Sequence, residues 1–256
     1  MSEPRILVIG EKFIDRYWVG TATRISPEAP IPVVAVKEVI QSAGGAGNVS
    51  ANLIALGAIV SEYYPGPEPI KNRLIANGHQ VARWDEDDHC DPLSFLRPED
   101  LQNRDGIVVS DYGKGAFTGD IPKLISKWTG STHLFIDTKN PTVWPFRGNF
   151  FFPNMKEWQT HKDFYDKCSR VIRTESENGM THLNYGEAMW HTPALATDVV
   201  SVCGAGDTAI AAFAYAYCKN QDIVGAMRFA SKACAVVCGK PYTAVASHEE
   251  INKITG

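Results

Sequence analysis

Short apolar runs alternate along this chain with stretches whose apolar residues recur at helical spacing. Arg5 to Gly10, built on Ile6-Leu7-Val8-Ile9, reads as a buried strand ended by glycine, and polar residues that include Asp15 follow it. Val19 to Val39 carries Pro27, Pro30 and Pro32 between β-branched runs, which excludes a helix and predicts short, exposed strands. Ala46 to Leu56 places Val49, Leu53, Ile54 and Leu56 at helical spacing, with Gly44-Gly45 at its entry and Gly57 as its stop. Ile70 to Arg83 reads as two strands about Asn77-Gly78, a dipeptide suited to a tight hairpin turn. Strand and helix then recur: Ile107 to Ser110, helix Ile121 to Trp128, His133 to Ile136, Phe150 to Phe152 and Val171 to Thr174. A hairpin about Tyr185-Gly186 (Met180 to His191) and two long apolar helices, Ala205 to Cys218 and Ile223 to Cys238, close the series. This order predicts an α/β protein of three layers on a mainly parallel sheet, with ligands beyond the carboxyl ends of its strands.

Composition narrows the function more than the fold. The chain has 256 residues, and its 25 lysines and arginines against 29 acidic residues give a net charge of −4, so nothing calls for a polyanionic partner and nucleic acid is not expected. A single domain spanning residues 1–256, with a β excursion at about 19–39, accounts for the length. No apolar run has signal-peptide or membrane-span character. The six cysteines include no CxxC pair and read as reduced thiols, so a cytoplasmic protein is expected; Cys234 and Cys238, four apart on a helix, read as small buried residues.

The densest chemistry lies in Val200-Ser201-Val202-Cys203-Gly204-Ala205-Gly206-Asp207-Thr208, at the head of an apolar helix. Gly204 and Gly206 let backbone N–H groups approach a ligand closely, and the free amides and positive dipole of the first turn suit a phosphate. A carboxylate beside that phosphate serves best by orienting a hydroxyl and accepting its proton as the oxygen attacks a γ-phosphoryl group, and the dipole favours ionised Asp207. The plain alternative is a tight turn with Asp207 capping the helix.

At this point the chain resembles the ribokinase (PfkB) family of carbohydrate kinases, whose GAGD motif supplies an anion hole and a catalytic base. The resemblance implies a ribokinase-like fold with a β lid, Asp207 as base, and Gly204, Ala205 and Gly206 as anion hole. Leu7-Val8-Ile9-Gly10 with Asp15, Arg24-Ile25-Ser26-Pro27-Glu28-Ala29-Pro30-Ile31-Pro32-Val33, Gly44-Gly45-Ala46-Gly47-Asn48-Val49, Ser110-Asp111-Tyr112-Gly113-Lys114-Gly115 and Pro153-Asn154-Met155-Lys156-Glu157 match in order. Together they look like the kinase half of bacterial ADP-heptose synthases, which phosphorylates a heptose 7-phosphate at O1. Family members carry one more β-α-β unit after the position of Ala58, where this chain has only Ile59 to Ile70 before the next matching segment. A sheet smaller at one side is therefore expected. The adenylyltransferase half has no counterpart in this sequence, so that second step is not expected.

Each segment also has its own physical reading. Gly44 and Gly45 remove side chains where a sugar ring can approach, Asn48 offers donor and acceptor to hydroxyls, and Asp15 can bind two hydroxyls; a helix-entry turn and a loop aspartate are the alternatives. Asn154 and Glu157, three apart at a helix start, form either a capping box or a water-mediated Mg²⁺ site, and the family's NxxE motif implies the metal. Lys71, Arg73, Arg83 and Lys114 suit the phosphate that is not transferred, unless they are solvated surface charges; Lys71-Asn72-Arg73 and Arg83-Trp84-Asp85 resemble the KxR and RxD segments of the heptose kinases. Asp111 is either a further site residue or the partner that orients Lys114. Thr174, Glu175 and Gly179 resemble a TRGxxG nucleotide loop in which Glu175-Ser176 replaces Arg-Gly, and Ala230 and Ala233 on the last long helix are expected to wall an adenine slot or to pack the helix.

The resulting expectation is an ATP- and Mg²⁺-dependent sugar kinase acting on a phosphorylated sugar, with homodimerisation through the β lid, where Ile31, Val33, Val34 and Val36 are apolar. A noncatalytic sugar-phosphate or nucleotide binding protein on the same fold, and a kinase for another sugar or a nucleoside, stand as alternatives.

Overall fold

The computed structural model describes residues 2–94, 96–145, 148–196 and 198–255. It opens with β1 (Arg5–Gly10), the long pair β2 (Lys12–Ile25) and β3 (Pro32–Gly45), and α1 (Ala46–Ala55). Next come β4 (Ile59–Tyr63), the hairpin β5 (Ile70–Ala76) and β6 (His79–Glu86), and α2 (Pro98–Leu101). The middle alternates β7 (Gly106–Asp111), α3 (Ile121–Trp128), β8 (His133–Thr138) and β9 (Phe150–Phe151), then the short helices α4 (Met155–Thr160) and α5 (Lys162–Tyr165). It ends with β10 (Val171–Thr174), β11 (Met180–Asn184), β12 (Glu187–Thr192), α6 (Ala205–Asn220), α7 (Ile223–Cys238) and α8 (His248–Lys253).

An eight-stranded sheet runs in the order β12-β11-β10-β9-β8-β7-β1-β4, with β4 through β10 parallel and the last two strands antiparallel. Alternate side chains of its central strands feed two cores. Ile6, Val8, Val108, Phe135 and Phe150 pack with Val49, Leu53, Ile210 and Phe213 of α1 and α6. Leu7, Ile9, Val109, Ile136 and Phe151 pack with Leu101, Ile125 and Tyr165 on the other face. Strands buried on both faces between helical layers are why these runs are continuously apolar. All six cysteines are free thiols, and Cys238 is buried.

The expected lid needs amendment. The lid is larger than an excursion at 19–39: β2 and β3 are continuous 14-residue strands. They join the β5-β6 hairpin in a separate four-stranded sheet, β3-β2-β5-β6, with β2 and β5 parallel. Polar Asp15 and Arg16 hid the start of β2, where burial alternates so that Phe13, Asp15 and Tyr17 point inward. Pro27 and Pro30 lie in the connecting turn and Pro32 opens β3, where a missing N–H costs no central ladder bond. The small side of the main sheet agrees with expectation: β4 is its last strand, and residues 64–69 lead from it directly into the lid.

Candidate active site

The carboxyl ends of β1, β7 and β8 meet the amino end of α6, and the lid sheet closes over them through its inward side chains. Gly204 caps α6 with a left-handed backbone (φ 78°), and a Cβ there would stand 2.4 Å from the Asn48 amide nitrogen. A Cβ on Gly206 would meet nothing within 4 Å, so its backbone borders open space. Ala205 N–H donates to Val202 O (3.2 Å) and Thr208 N–H to Gly204 O (2.9 Å). The free amides of the turn, among the described residues, are thus those of Gly204, Gly206 and Asp207; Ala205, expected in the anion hole, has its amide committed.

Asp207 is buried, 5% exposed, and both its oxygens are held: Asn48 Nδ2 donates to Oδ2 at 2.9 Å and Tyr112 OH to Oδ1 at 2.7 Å. Burial pushes its carboxyl up to about 6, opposed by those two bonds, so the dipole does not alone decide its charge. Asn48, expected on sugar hydroxyls, is already used: its nitrogen serves Asp207 and its oxygen accepts from Asn52 at 3.1 Å. The amide is spent on the acid because α1 packs against α6.

Asp15 comes from β2 and pairs with Arg73 of β5 at 2.5 Å, while the Thr243 hydroxyl donates to its second oxygen at 3.2 Å and also meets Tyr17 OH at 3.0 Å. Gly44 makes room for this arrangement, since a Cβ there would stand 2.3 Å from the Phe13 ring and 2.6 Å from Asp15 Oδ2. Gly45, in a left-handed conformation (φ 57°), turns the chain into α1. Lys71 is buried with its Nζ 3.2 Å from the Phe13 ring centroid and 4.7 Å from that of Tyr112. Burial draws its ammonium down to about 8, with Asp15 opposing. Arg83 is clamped by Asp85 at 3.0 and 2.7 Å, and Lys114 pairs with Asp88. These four cations lie close enough to influence one another electrostatically. Asp111 does not orient Lys114: it accepts from Thr138 Oγ1 (2.6 Å) and Gly113 N–H (2.9 Å), shaping the loop after β7.

The end expected to take the nucleotide, around β8 to β10, differs more from expectation. Asn154 and Glu157 form the capping box of α4, with Glu157 N–H on Asn154 Oδ1 at 2.9 Å and Asn154 N–H on Glu157 Oε2 at 3.0 Å. The other Glu157 oxygen holds Lys139. Thr174 bridges to Asn154 beside it. Glu175 accepts from Arg173 at 2.8 Å, and Ser176 takes a left-handed backbone (φ 52°). Gly179 is needed for packing, as a Cβ would stand 2.1 Å from Thr192 O. Ala230 and Ala233 are wholly buried in the core, so neither walls a slot: α7 turns its small residues toward α6. Among the described residues no group of three or more metal-ligating side chains converges. Asp137 and Glu157, both oxygen donors beside Lys139, nevertheless suit a hard cation that keeps most of its water.

Sequence reasoning missed four residues. Glu11, fully buried, accepts the N–H groups of Tyr112 (2.7 Å), Lys114 (2.8 Å) and Ala116 (3.0 Å). Tyr112 was visible only as part of a motif. Asp137 and Lys139 close β8, and burial pushes Asp137 up to about 7. An acid or a cation directly after a buried apolar run, as in Gly10-Glu11 and Ile136-Asp137-Thr138-Lys139, was the available signal, because ligands gather at those strand ends.

Comparison with known proteins shows the fold and a match to one family over part of the chain. Arabidopsis thaliana ribokinase, solved with ribose and ATP, superposes with a TM-score of 0.74 at 16% identity over 99% of both chains. Escherichia coli phosphofructokinase-2, solved with substrates and products, gives 0.71 at 16% identity over 98% of both. The fold is thus ribokinase-like. Residues 159–250 match the model of the pfkB family of carbohydrate kinases. Carbohydrate kinases of that family are phosphotransferases with an alcohol group as acceptor. The bifunctional protein HldE of Pseudomonas putida (strain GB-1) is 31% identical over 99% of this chain and 65% of its own length. That of Alcanivorax borkumensis is 33% identical over 98% and 63%. The chain therefore spans just under two thirds of these relatives. The first alignment runs over 307 positions against 256 residues, in keeping with a shortened chain. No helix among the described residues is long and apolar enough to cross a membrane.

Proposed function

We propose that this protein transfers the γ-phosphoryl group of ATP to O1 of a heptose 7-phosphate or a closely related phosphorylated sugar, with Asp207 as the base. The observation that carries this reading is one buried carboxylate, held by Asn48 and Tyr112, at a helix tip whose Gly204, Gly206 and Asp207 amides remain free. The acceptor alcohol gives its proton to Asp207 as its oxygen bonds to phosphorus; the bond to the β-phosphate oxygen breaks and ADP leaves with that electron pair. The free amides and the dipole of α6 stabilise charge on the phosphoryl oxygens, and Lys139 adds a cation just after β8. Mg²⁺, when bound, neutralises phosphate charge, and Asp137, Asn154 and Glu157 would hold it through water. Asp15 orients sugar hydroxyls, while Lys71, Arg73, Arg83 and Lys114 anchor the phosphate that stays on the sugar. Thr174 and the Glu175 to Gly179 turn border the nucleotide. The lid also supports a homodimer: Ile31, Val36 and Val39 are 57%, 45% and 44% exposed on it.

The test is ADP release with heptose 7-phosphate, unphosphorylated heptose, ribose and nucleosides. Turnover is expected with the phosphorylated heptose and abolished in Asp207→Asn. Binding of sugar phosphate and nucleotide without turnover by the unaltered protein would overturn the kinase reading. It would favour a binding protein, which Glu175 on Arg173 in the nucleotide turn supports.

A further inference from the structure

Both oxygens of the buried acid are held by neutral donors, and the more elaborately built of the two is Tyr112. Its ring meets Phe13 edge-on, with centroids 4.9 Å apart and planes at 89°. Lys71 of the lid sheet lies 4.7 Å from its centroid and Lys139, after β8, 5.2 Å. Its backbone N–H is fixed by Glu11, whose carboxylate gathers the N–H groups of three alternate residues of the same loop, Tyr112, Lys114 and Ala116. Such a loop fixes a phenol in place without recruiting any cation to its oxygen.

We propose that Tyr112 is the positioning residue of the phosphoryl acceptor step, holding the Asp207 carboxylate in a fixed plane, and that Glu11 sets Tyr112. This rests on the reading of Asp207 as the base. The chemistry favours a phenol for three reasons. A neutral donor stabilises the carboxylate without cancelling its charge, whereas an ammonium at hydrogen-bond distance would make it a poor base. Burial and the adjacent Asp207 raise the phenol well above its ordinary value, so it remains the donor throughout. With Tyr112 on Oδ1 and Asn48 on Oδ2, the remaining lone pairs are left for the alcohol. The other groups that act on Asp207 are Asp15 from β2, Lys71 from β5, and Asp137 and Lys139 from β8 and its following turn.

Tyr112→Phe keeps the ring and its contacts while removing the donor. The expected result is a kcat lower by about 10- to 100-fold, the loss of one hydrogen bond to a charged group, with KM for ATP and for the sugar phosphate within about twofold. The acidic limb of kcat/KM is expected to move up by about one pH unit. Ionisation of the substrate phosphate is common to variant and parent, so it cancels in the difference. Replacing Tyr112 by 3-fluorotyrosine, a stronger donor, is expected to move the limb the opposite way. Glu11→Gln is expected to lower kcat in the same direction as Tyr112→Phe. If Asp207→Asn is inactive while Tyr112→Phe and the fluorinated protein keep the parent kcat and acidic limb, the positioning proposal is overturned. If Asp207→Asn is itself as active as the parent, the base reading has failed, which is a separate result.

Discussion

The two ends of the cleft are built on opposite plans. At the acceptor end Asp207 is held by neutral donors and the nearby amides stay free, while the cations of the lid and of the loop after β7 are paired: Arg73 with Asp15, Arg83 with Asp85 and Lys114 with Asp88. At the donor end the charged side chains satisfy one another: Lys139 holds Glu157, Glu157 caps α4 with Asn154, and Arg173 holds Glu175. The contrast lies in the acid: Asp207 is organised before any substrate binds, whereas on the proposed function nucleotide and metal must exchange partners with groups already paired. Preorganised charge is effective because it needs no rearrangement at the moment of reaction.

The strongest way to break this comparison is Asp207→Asn, expected to lower kcat by about 10²- to 10⁴-fold, the usual contribution of a positioned base, as read by ADP release at saturating substrates. Next is Asp15→Ala. It leaves the buried Arg73 guanidinium without its acid, which costs about 3 kcal/mol of stability, and it raises KM for the sugar phosphate while leaving KM for ATP unchanged. Chemical denaturation and steady-state kinetics check the two halves. An equal rise in both KM values would mean that the ends are not separate.

Stability against pH reports on the acid itself. The Asp207 carboxyl titrates at about 6 when folded and near its ordinary 3.8 when unfolded. Between those values the folded protein holds more protons, so stability falls as pH rises, and above about 6 the full cost of the buried charge is present. Asp207→Asn removes that cost: the variant is expected to be more stable than the parent by about 3 kcal/mol at pH 8, with the gain vanishing below pH 4. Thermal unfolding at the two pH values measures it. A gain that persists in acid would show that the substitution acts through packing rather than charge.

Much of the acceptor end was legible in the sequence because its determinants are local. Gly204, Gly206 and Asp207 announce a helix tip, and Gly44-Gly45 announces a close approach. What escaped was the work of residues far apart in the chain. Asn48 reaches Asp207 only because α1 packs on α6, and Glu11 gathers amides that lie about a hundred residues away. The same limit explains the lid: an alternating strand containing Asp15 and Arg16 looks like a polar loop until β5 pairs beside it. Ala230 misled for the converse reason, since small residues on a helix suit a ligand wall and a helix contact equally, and only the fold assigns the face.

At the donor end, Glu157→Gln separates the two plans by a smaller effect. Gln retains the acceptor for the Asn154 amide and so keeps the capping box, but it releases Lys139 and loses a negative charge. The Mg²⁺ concentration for half-maximal rate is expected to rise about tenfold, corresponding to about 1.4 kcal/mol, with KM for the sugar phosphate unchanged. A metal requirement that stays the same in this variant would place Glu157 wholly in the cap.

The smallest effect concerns Ser176, which sits where the resembling loop has glycine and adopts φ 52°. For a residue with a Cβ the left-handed conformation costs about 1–2 kcal/mol, and glycine avoids that cost while adding about 0.5–1 kcal/mol of unfolded-chain entropy. Ser176→Gly is therefore expected to stabilise the protein by about 0.5 kcal/mol, a rise in Tm of about 1–2 °C for a chain of this size. The turn itself is closed by Glu175 N–H on Gly179 O at 2.8 Å, which the substitution leaves intact. KM for ATP then reports on the donor end. If the strained turn is already in its nucleotide-binding shape, relief of strain leaves KM unchanged while Tm rises. If binding requires the turn to open, the stabilised closed form binds more weakly and KM rises with Tm. The second outcome is the one expected from an end whose charges are paired with one another, and an unchanged KM would limit the contrast between the two ends to their ion pairs.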